Sequence, residues 1–207
     1  MNAFKIGTAA LFSAALGGLL AAPALAQQQT TTGRTNDFSY TWLQGGFQTG
    51  DVANPDADVD ALFFEGSYAF DPNLFLRGGV SFYDGDLNGG SRADVDGERL
   101  HLGLGFNTLL QDRLDLVVSG DIVRVRADVE GGGTDRDTGY DLRAGVRHHT
   151  AQQVELSGGV FHENVDERDT GVYGEALYKL RPQVDLGARI ALGGDASNFG
   201  LFGRYNF

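Results

Sequence analysis

The chain closes on Asn198-Phe199-Gly200-Leu201-Phe202-Gly203-Arg204-Tyr205-Asn206-Phe207, an alternating segment that stops on an aromatic residue. Side chains alternate between the two faces of an extended strand, so if Phe199, Leu201, Gly203, Tyr205 and Phe207 share one face, Arg204 projects from the other. A strand that is greasy on one side and charged on the other fits the wall between lipid and a polar lumen.

The opposite end of the chain carries an export pattern. Lys5 precedes an apolar run from Ile6 to Leu20, and Ala24-Leu25-Ala26 offers a small-residue cleavage site before Gln27. The run is shorter than the roughly 20 apolar residues a spanning helix needs. Residues 1–26 are therefore read as a secretory signal peptide, 27–37 as a short polar N-terminal segment, and 38–207 as one outer-membrane β-barrel.

Composition enters where it removes alternatives. With 31 glycines, and Lys179 the one lysine beyond Lys5, no window sustains a helical stripe. The absence of cysteine excludes a disulfide scaffold. Formal charge is −12, and Lys5 is the one charged residue of the first 26, which leaves the mature chain at −13. Nucleic acid is not an expected partner for so acidic a chain.

Alternation predicts ten strands, at 38–49, 61–70, 74–83, 98–110, 114–126, 138–149, 154–163, 171–180, 184–193 and 198–207. The expected fold class is all-β, a transmembrane antiparallel up-and-down barrel. Connections at 71–73, 111–113, 150–153 and 181–183 are tight, whereas 50–60, 84–97, 129–137 and 164–170 read as longer loops. Short turns on the periplasmic rim and longer loops outside are the pattern of such barrels. A soluble sandwich would share the alternation; the terminal aromatic and the alternating loop lengths favour the barrel.

Counting by twos gives outward rows such as Leu100, Leu102, Leu104 and Phe106, or Val184, Leu186, Ala188, Ile190 and Leu192. The opposite rows carry seven cations, Arg77, Arg99, Arg143, Arg147, Lys179, Arg189 and Arg204. They also carry eight acids, Glu65, Asp115, Asp121, Asp141, Glu155, Glu163, Glu175 and Asp185. Near balance predicts lumen ion pairs rather than a one-sign selectivity ring. A barrel this small is filled by its own side chains, so the lumen is expected to be largely occluded. Tyr68, Phe70, Phe82, Phe106, Tyr140, Tyr178 and Phe207 fit interfacial girdles.

The long connections hold the excess charge, among them Asp51, Asp58, Asp60, Asp84, Asp96 and Asp128. A solvated acidic rim is the plain expectation. Asp84, Asp86 and Asn88 match the opening of a calcium loop, but Val95 stands where its bidentate glutamate belongs, so no metal site is assigned beyond that weak candidate. Arg124 and Arg126 fall on the outward row of the fifth strand, placed either at lipid headgroups or, by a bulge or an over-long strand, in water.

Catalytic candidates are few. His148 and His149 lie beside a periplasmic turn, His101 faces inward, and His162, near Glu163 and Asp166, has no serine close by. No enzyme activity and no cofactor are expected.

The run Ser39-Tyr40-Thr41-Trp42-Leu43-Gln44-Gly45-Gly46-Phe47, with Glu65-Gly66-Ser67-Tyr68 and Pro72-Asn73 after it, resembles small proteobacterial outer-membrane beta-barrel proteins. Their mature chains open with S-Y-x-Y-x-E-G-G-Y, and they belong to the wider porin-like, OmpA-type barrel-domain group. Gln44 stands in place of that pattern's acid and Phe47 in place of its tyrosine. The resemblance implies a non-enzymatic surface barrel of a Gram-negative outer membrane, linked with envelope properties, vesicles and biofilm traits.

The leading functional expectation is a structural or surface-interaction barrel meeting outer-membrane lipid and lipopolysaccharide. A narrow channel for small solutes is the alternative, and an outer-leaflet lipid-modifying enzyme is third. Tyr205 and Phe207 are similar to the terminal signal read by the barrel-assembly machinery, which makes that machinery the expected partner during biogenesis.

Overall fold

The computed structural model describes residues 38–53, 56–87, 94–129, 133–165, 168–194 and 196–207. The proposed signal peptide, the segment 27–37 and Asn88 lie outside the described residues.

Ten strands form one closed antiparallel barrel: β1 (Trp42–Ala53), β2 (Asp56–Ala69), β3 (Leu74–Leu87), β4 (Asp94–Gln111), β5 (Leu114–Val129), β6 (Gly133–Ala151), β7 (Val154–Asn164), β8 (Arg168–Arg181), β9 (Val184–Leu192) and β10 (Ala196–Asn206). Each strand pairs with its sequence neighbours, and β1 pairs with β10 from Trp42↔Asn206 to Val52↔Ala196. Closure leaves no unpaired edge, which a membrane-spanning sheet cannot tolerate.

On one rim, β4–β5, β6–β7 and β8–β9 each turn through two residues, with a register shift just before the turn, at Leu109/Gln111, His149/Ala151 and Lys179/Arg181. Arg113 closes the first of these in the left-handed region, φ 65°. Its carbonyl accepts the amide of His149 at 3.0 Å, and Gln153 and Gln183 accept from Lys179 and Asn206 in the same way.

The other rim corrects the sequence reading. Most of the acidic segments expected to be loops are strand, because the ladder continues through Asp51↔Asp58, Asp58↔Asp86, Asp60↔Asp84, Asp84↔Asp96 and Asp96↔Asp128. Asp84 and Asp86 thus stand on β3 and not in a calcium-type loop. Aspartate and glycine have poor strand propensity, but context overrides it. Here Asp51, Asp58, Asp60, Asp84 and Asp96 point outward while Val59, Ala61, Tyr83, Val123 and Val125 turn inward and pack together.

That arrangement inverts the polarity of the wall. In the membrane-facing stretch of β5, Val118 and Ile122 are exposed while Asp115, Ser119 and Asp121 are buried; further out, Arg124 is exposed and Val123, Val125 and Ala127 are buried. A spanning strand needs roughly 9–11 residues, and β4, β5 and β6 have 18, 16 and 19. The excess extends beyond the apolar belt, and there apolar groups turn in and charges turn out. Arg124 and Arg126 lie on this over-long stretch, with no bulge beside them.

A second correction concerns the start of β1. Residues 38–41, read as strand, instead fold into the mouth at the rim of short turns, where Phe38 and Tyr40 cluster with Phe75. Tyr68, Phe70, Phe82, Phe106, Tyr140, Tyr178 and Phe207 are all exposed on the outer wall.

Candidate functional site: the polar lumen

The interior is built from alternate residues of every strand, as the pleat dictates. Near the middle, a continuous chain of contacts crosses the lumen. Arg189 donates from NH1 to Glu65 Oε1 at 2.9 Å and lays its guanidinium over Phe63 at 3.6 Å. Glu65 accepts from Gln44 Nε2, and Gln44 Oε1 accepts from Arg204 Nε at 2.7 Å. Arg204 reaches Glu175 at 2.6 Å and stacks over Trp42 at 4.5 Å. Gln44 thus joins a glutamate to an arginine; a carboxylate at this position would set two anions side by side.

Three further pairs occupy the lumen. Arg77 lies 3.4 Å from Asp121 and donates to Ser119 at 3.0 Å. Arg143 Nε is 3.0 Å from Asp141 on its own strand, two residues away. Arg99 NH1 donates to Glu163 at 2.7 Å, and both side chains are fully enclosed. Asp185 accepts from Asn206 at 2.7 Å, and Lys179 stands opposite it in the ladder with no ion pair between them.

At the rim of short turns, residues 38–41 fold against the inner wall. Tyr40 donates its hydroxyl to Asp115 Oδ2 at 2.9 Å. Arg147 pairs with Glu155 at 2.7 Å, donates to the Ser39 carbonyl at 3.3 Å, and lies over the rings of Tyr40 and Phe38. Phe38 stacks on His149 at 4.3 Å. Toward the other rim from the ion pairs, Val59, Ala61, Tyr83, Val123, Val125, Val165 and Ala196 form a buried apolar cluster. Within the lumen lies a cavity of about 160 Å³ lined by Trp42, Arg77, Arg143, Tyr173 and Arg204 among others. Small-molecule pockets usually begin near ~300 Å³.

Sequence reasoning passed over the inward aromatics, which occupy a recurrent place in the ladder. Phe75 stands opposite Gly105, Tyr83 opposite Gly97, Phe161 opposite Gly171, Tyr173 opposite Gly159, and Phe202 opposite Gly187. A Cβ on Gly105 would lie 1.9 Å from the Phe75 ring, and one on Gly187 would lie 2.3 Å from Phe202. Glycine on one strand makes room for a ring on the next, so rings lie along the wall and narrow the lumen. The available signal was an aromatic and a glycine of inward parity at matching heights.

The histidines do not converge. His148 points outward and His149 inward, so the adjacent pair cannot share one ion. His162 bonds Thr170 through Nδ1 at 2.7 Å, whereas neighbouring Glu163 is engaged inside with Arg99. His101 is buried in the lumen. Among the described residues, no group of three or more potential ligands is arranged to hold a metal.

On the outer wall, Asp128 is held below the usual carboxylate range, first by the Thr134 hydroxyl that donates to it and then by the Arg126 guanidinium.

A ten-stranded closed barrel with an apolar belt, polar lumen and short turns on one rim is an outer-membrane β-barrel protein. The chain belongs to the family described as the outer membrane protein beta-barrel domain, which it matches over residues 12–170. Among solved structures it is similar to Neisserial surface protein A, with 13% identity and a TM-score of 0.47, covering 82% of this chain and 98% of that one. The beta domain of the Bordetella autotransporter BrkA has 14% identity and a TM-score of 0.50, covering 80% and 98%. The KdgM porin has 11% identity and a TM-score of 0.43, covering 80% and 99%. At these identities the likeness is one of fold alone. No curated protein matches the sequence.

Proposed function

We propose that this protein is a non-conducting, non-enzymatic barrel of a Gram-negative outer membrane, acting as a structural or surface-interaction element through its extracellular rim. The observation that supports this reading is the crowding of the lumen by the protein's own side chains. The Phe38–Tyr40 segment lies at one mouth, the Val59, Tyr83, Val123 and Val165 cluster packs toward the other, and ion pairs stand between them. Outward-facing aspartates give the exposed rim its charge, and outer-leaflet lipopolysaccharide is the surface they meet.

Liposome swelling tests the reading. Vesicles carrying the folded barrel are expected to exclude arabinose and glucose as well as protein-free vesicles do. Swelling that scales with barrel content would replace the reading with a narrow solute channel, for which the polar cavity within the lumen would be the path. A lipid-modifying activity would appear as an altered outer-leaflet lipid profile on deletion; an unchanged profile is expected.

A further inference from the structure

Where the wall inverts its polarity, the outward residues of β4, β5 and β6 form a lattice whose rows can be read from the register. Leu102, Ile122 and Tyr140 make an apolar row, and all three are exposed. The next row outward is Leu100, Arg124 and Thr138, and the row beyond it is Glu98, Arg126 and Arg136. Further out stand Asp96, Asp128 and Thr134. Three arginines therefore project from two adjacent strands within two rows, directly above the lipid-facing belt.

This grouping is unusual in its surroundings. Across β1 to β4, the outward positions of the emerging strands carry acids, Asp51, Asp58, Asp60, Asp84 and Asp96 together with Glu98. Arg126 and Arg136 are direct cross-strand neighbours, and like charges in that relation oppose each other. Arg126 is 3.1 Å from Asp128. Arg124 and Arg136 make no ion pair among the described residues. The side chains of Arg124, Arg126 and Arg136, with Glu98 and Leu100, line a concavity of about 240 Å³ on the outer wall. Adjacent strands lie ~4.8 Å apart and same-face neighbours along a strand ~7 Å apart, so the three guanidinium groups can reach one anion.

We propose that Arg124, Arg126 and Arg136 bind a phosphate of the phosphorylated glycolipid that fills the outer leaflet. A guanidinium presents a planar fork that matches phosphate oxygens two at a time. The anion would relieve the Arg126–Arg136 opposition, and the acyl chains below it would lie along Leu102, Ile122 and Tyr140. The height of the site selects a lipid headgroup over dissolved phosphate, because the apolar row borders it on the membrane side. The inference rests on the outer-membrane placement in the proposed function and on nothing about the lumen.

Native mass spectrometry of the folded barrel in detergent tests it, with lipid A carrying both phosphates compared with the same lipid stripped of them. Wild type is expected to retain the phosphorylated form roughly ten-fold more tightly. R124Q/R126Q/R136Q should lose that preference, R126Q alone should lose part of it, and R168Q, a change of the same charge at exposed Arg168 on β8, should keep it. Variants are scored first for the heat-modifiable folded band, and R126Q carries the comparison if the triple variant does not fold. Equal retention of dephosphorylated lipid, an undiminished preference in R126Q and the triple variant, or the same loss in R168Q would overturn the proposal. So would displacement of the lipid by millimolar inorganic phosphate, which would mark a site for the free anion. Failure here leaves the sugar-exclusion result, and the occluded lumen it reports on, untouched.

Discussion

Arg99 and Glu163 meet across the lumen from β4 and β7, with Arg99 NH1 donating to Glu163 Oε1 at 2.7 Å and no solvent reaching Arg99. Strands three places apart in the barrel order are thereby tied through the interior. A buried pair of this kind is costly to break and cheap to replace, because the loss of one partner strands a charge whereas apolar substitution of both removes the desolvation penalty. Glu163→Leu is accordingly expected to destabilise the barrel by about 3–5 kcal/mol, and R99M/E163L by much less. Urea unfolding in lipid vesicles measures both. A double variant as unstable as the single one would show that the pair contributes more than it costs.

The ring of Phe75 lies against Gly105, its direct ladder partner. Gly105→Ala forces a methyl group to within 1.9 Å of that ring unless the ring moves. Overpacking of this order costs about 1–3 kcal/mol. Gly203→Ala is the matched control, since nothing lies within 4 Å of the new methyl group on the outer face, and its effect should stay within about 0.5 kcal/mol. The temperature at which the folded band converts on semi-native gels should fall for the first variant and hold for the second.

Tyr40 anchors the start of the described chain to Asp115. Tyr40→Phe keeps the ring against Phe75 and deletes the hydroxyl, removing a hydrogen bond to a charged group worth about 1.5–3 kcal/mol. Amide exchange at residues 39–41 should accelerate while the rest of the barrel keeps its protection. Sugar exclusion should persist, because the apolar cluster at the far mouth is intact. Unchanged exchange would mean that the Phe38 stack and Arg147 hold the segment without the hydroxyl.

Phe207 and Tyr205 are exposed on the outer wall and pack edge to face, 5.0 Å between centroids. If this pair is the terminal mark recognised during insertion, Phe207→Asp should lower the amount of heat-modifiable barrel in the outer membrane while leaving its refolding from urea into detergent intact. Normal levels in the membrane would limit Phe207 to anchoring at the interface.

Architecture was legible in the sequence because period-two alternation and turn spacing are local signals. Ten strands and the inward placement of Arg204, Glu65 and Arg99 follow from counting by twos. The ends of the strands were not legible in the same way. Asp58, Asp60, Asp84 and Asp96 look like loop residues by propensity, and only the inward parity of Val59, Ala61, Tyr83 and Val123 hinted that the wall continues with its faces exchanged. The partner of each charge also depends on closure. Nothing local distinguishes Asp141, which pairs with Arg143 two residues away, from Glu163, which pairs 64 residues away with Arg99. Likewise the Phe38–Tyr40 segment alternates like a strand, and its turn into the mouth is set by Phe75, Arg147 and Asp115 from other strands.

Ion conduction is the most direct test of the proposal that the lumen is closed. Folded barrels reconstituted into planar bilayers in 1 M KCl and recorded one at a time should show insertion without stable current steps, at either polarity and with or without Tyr40→Phe. Reproducible, long-lived openings in the wild-type protein would contradict the account, since they require a path past the Phe38–Tyr40 segment, the ion pairs and the apolar cluster together.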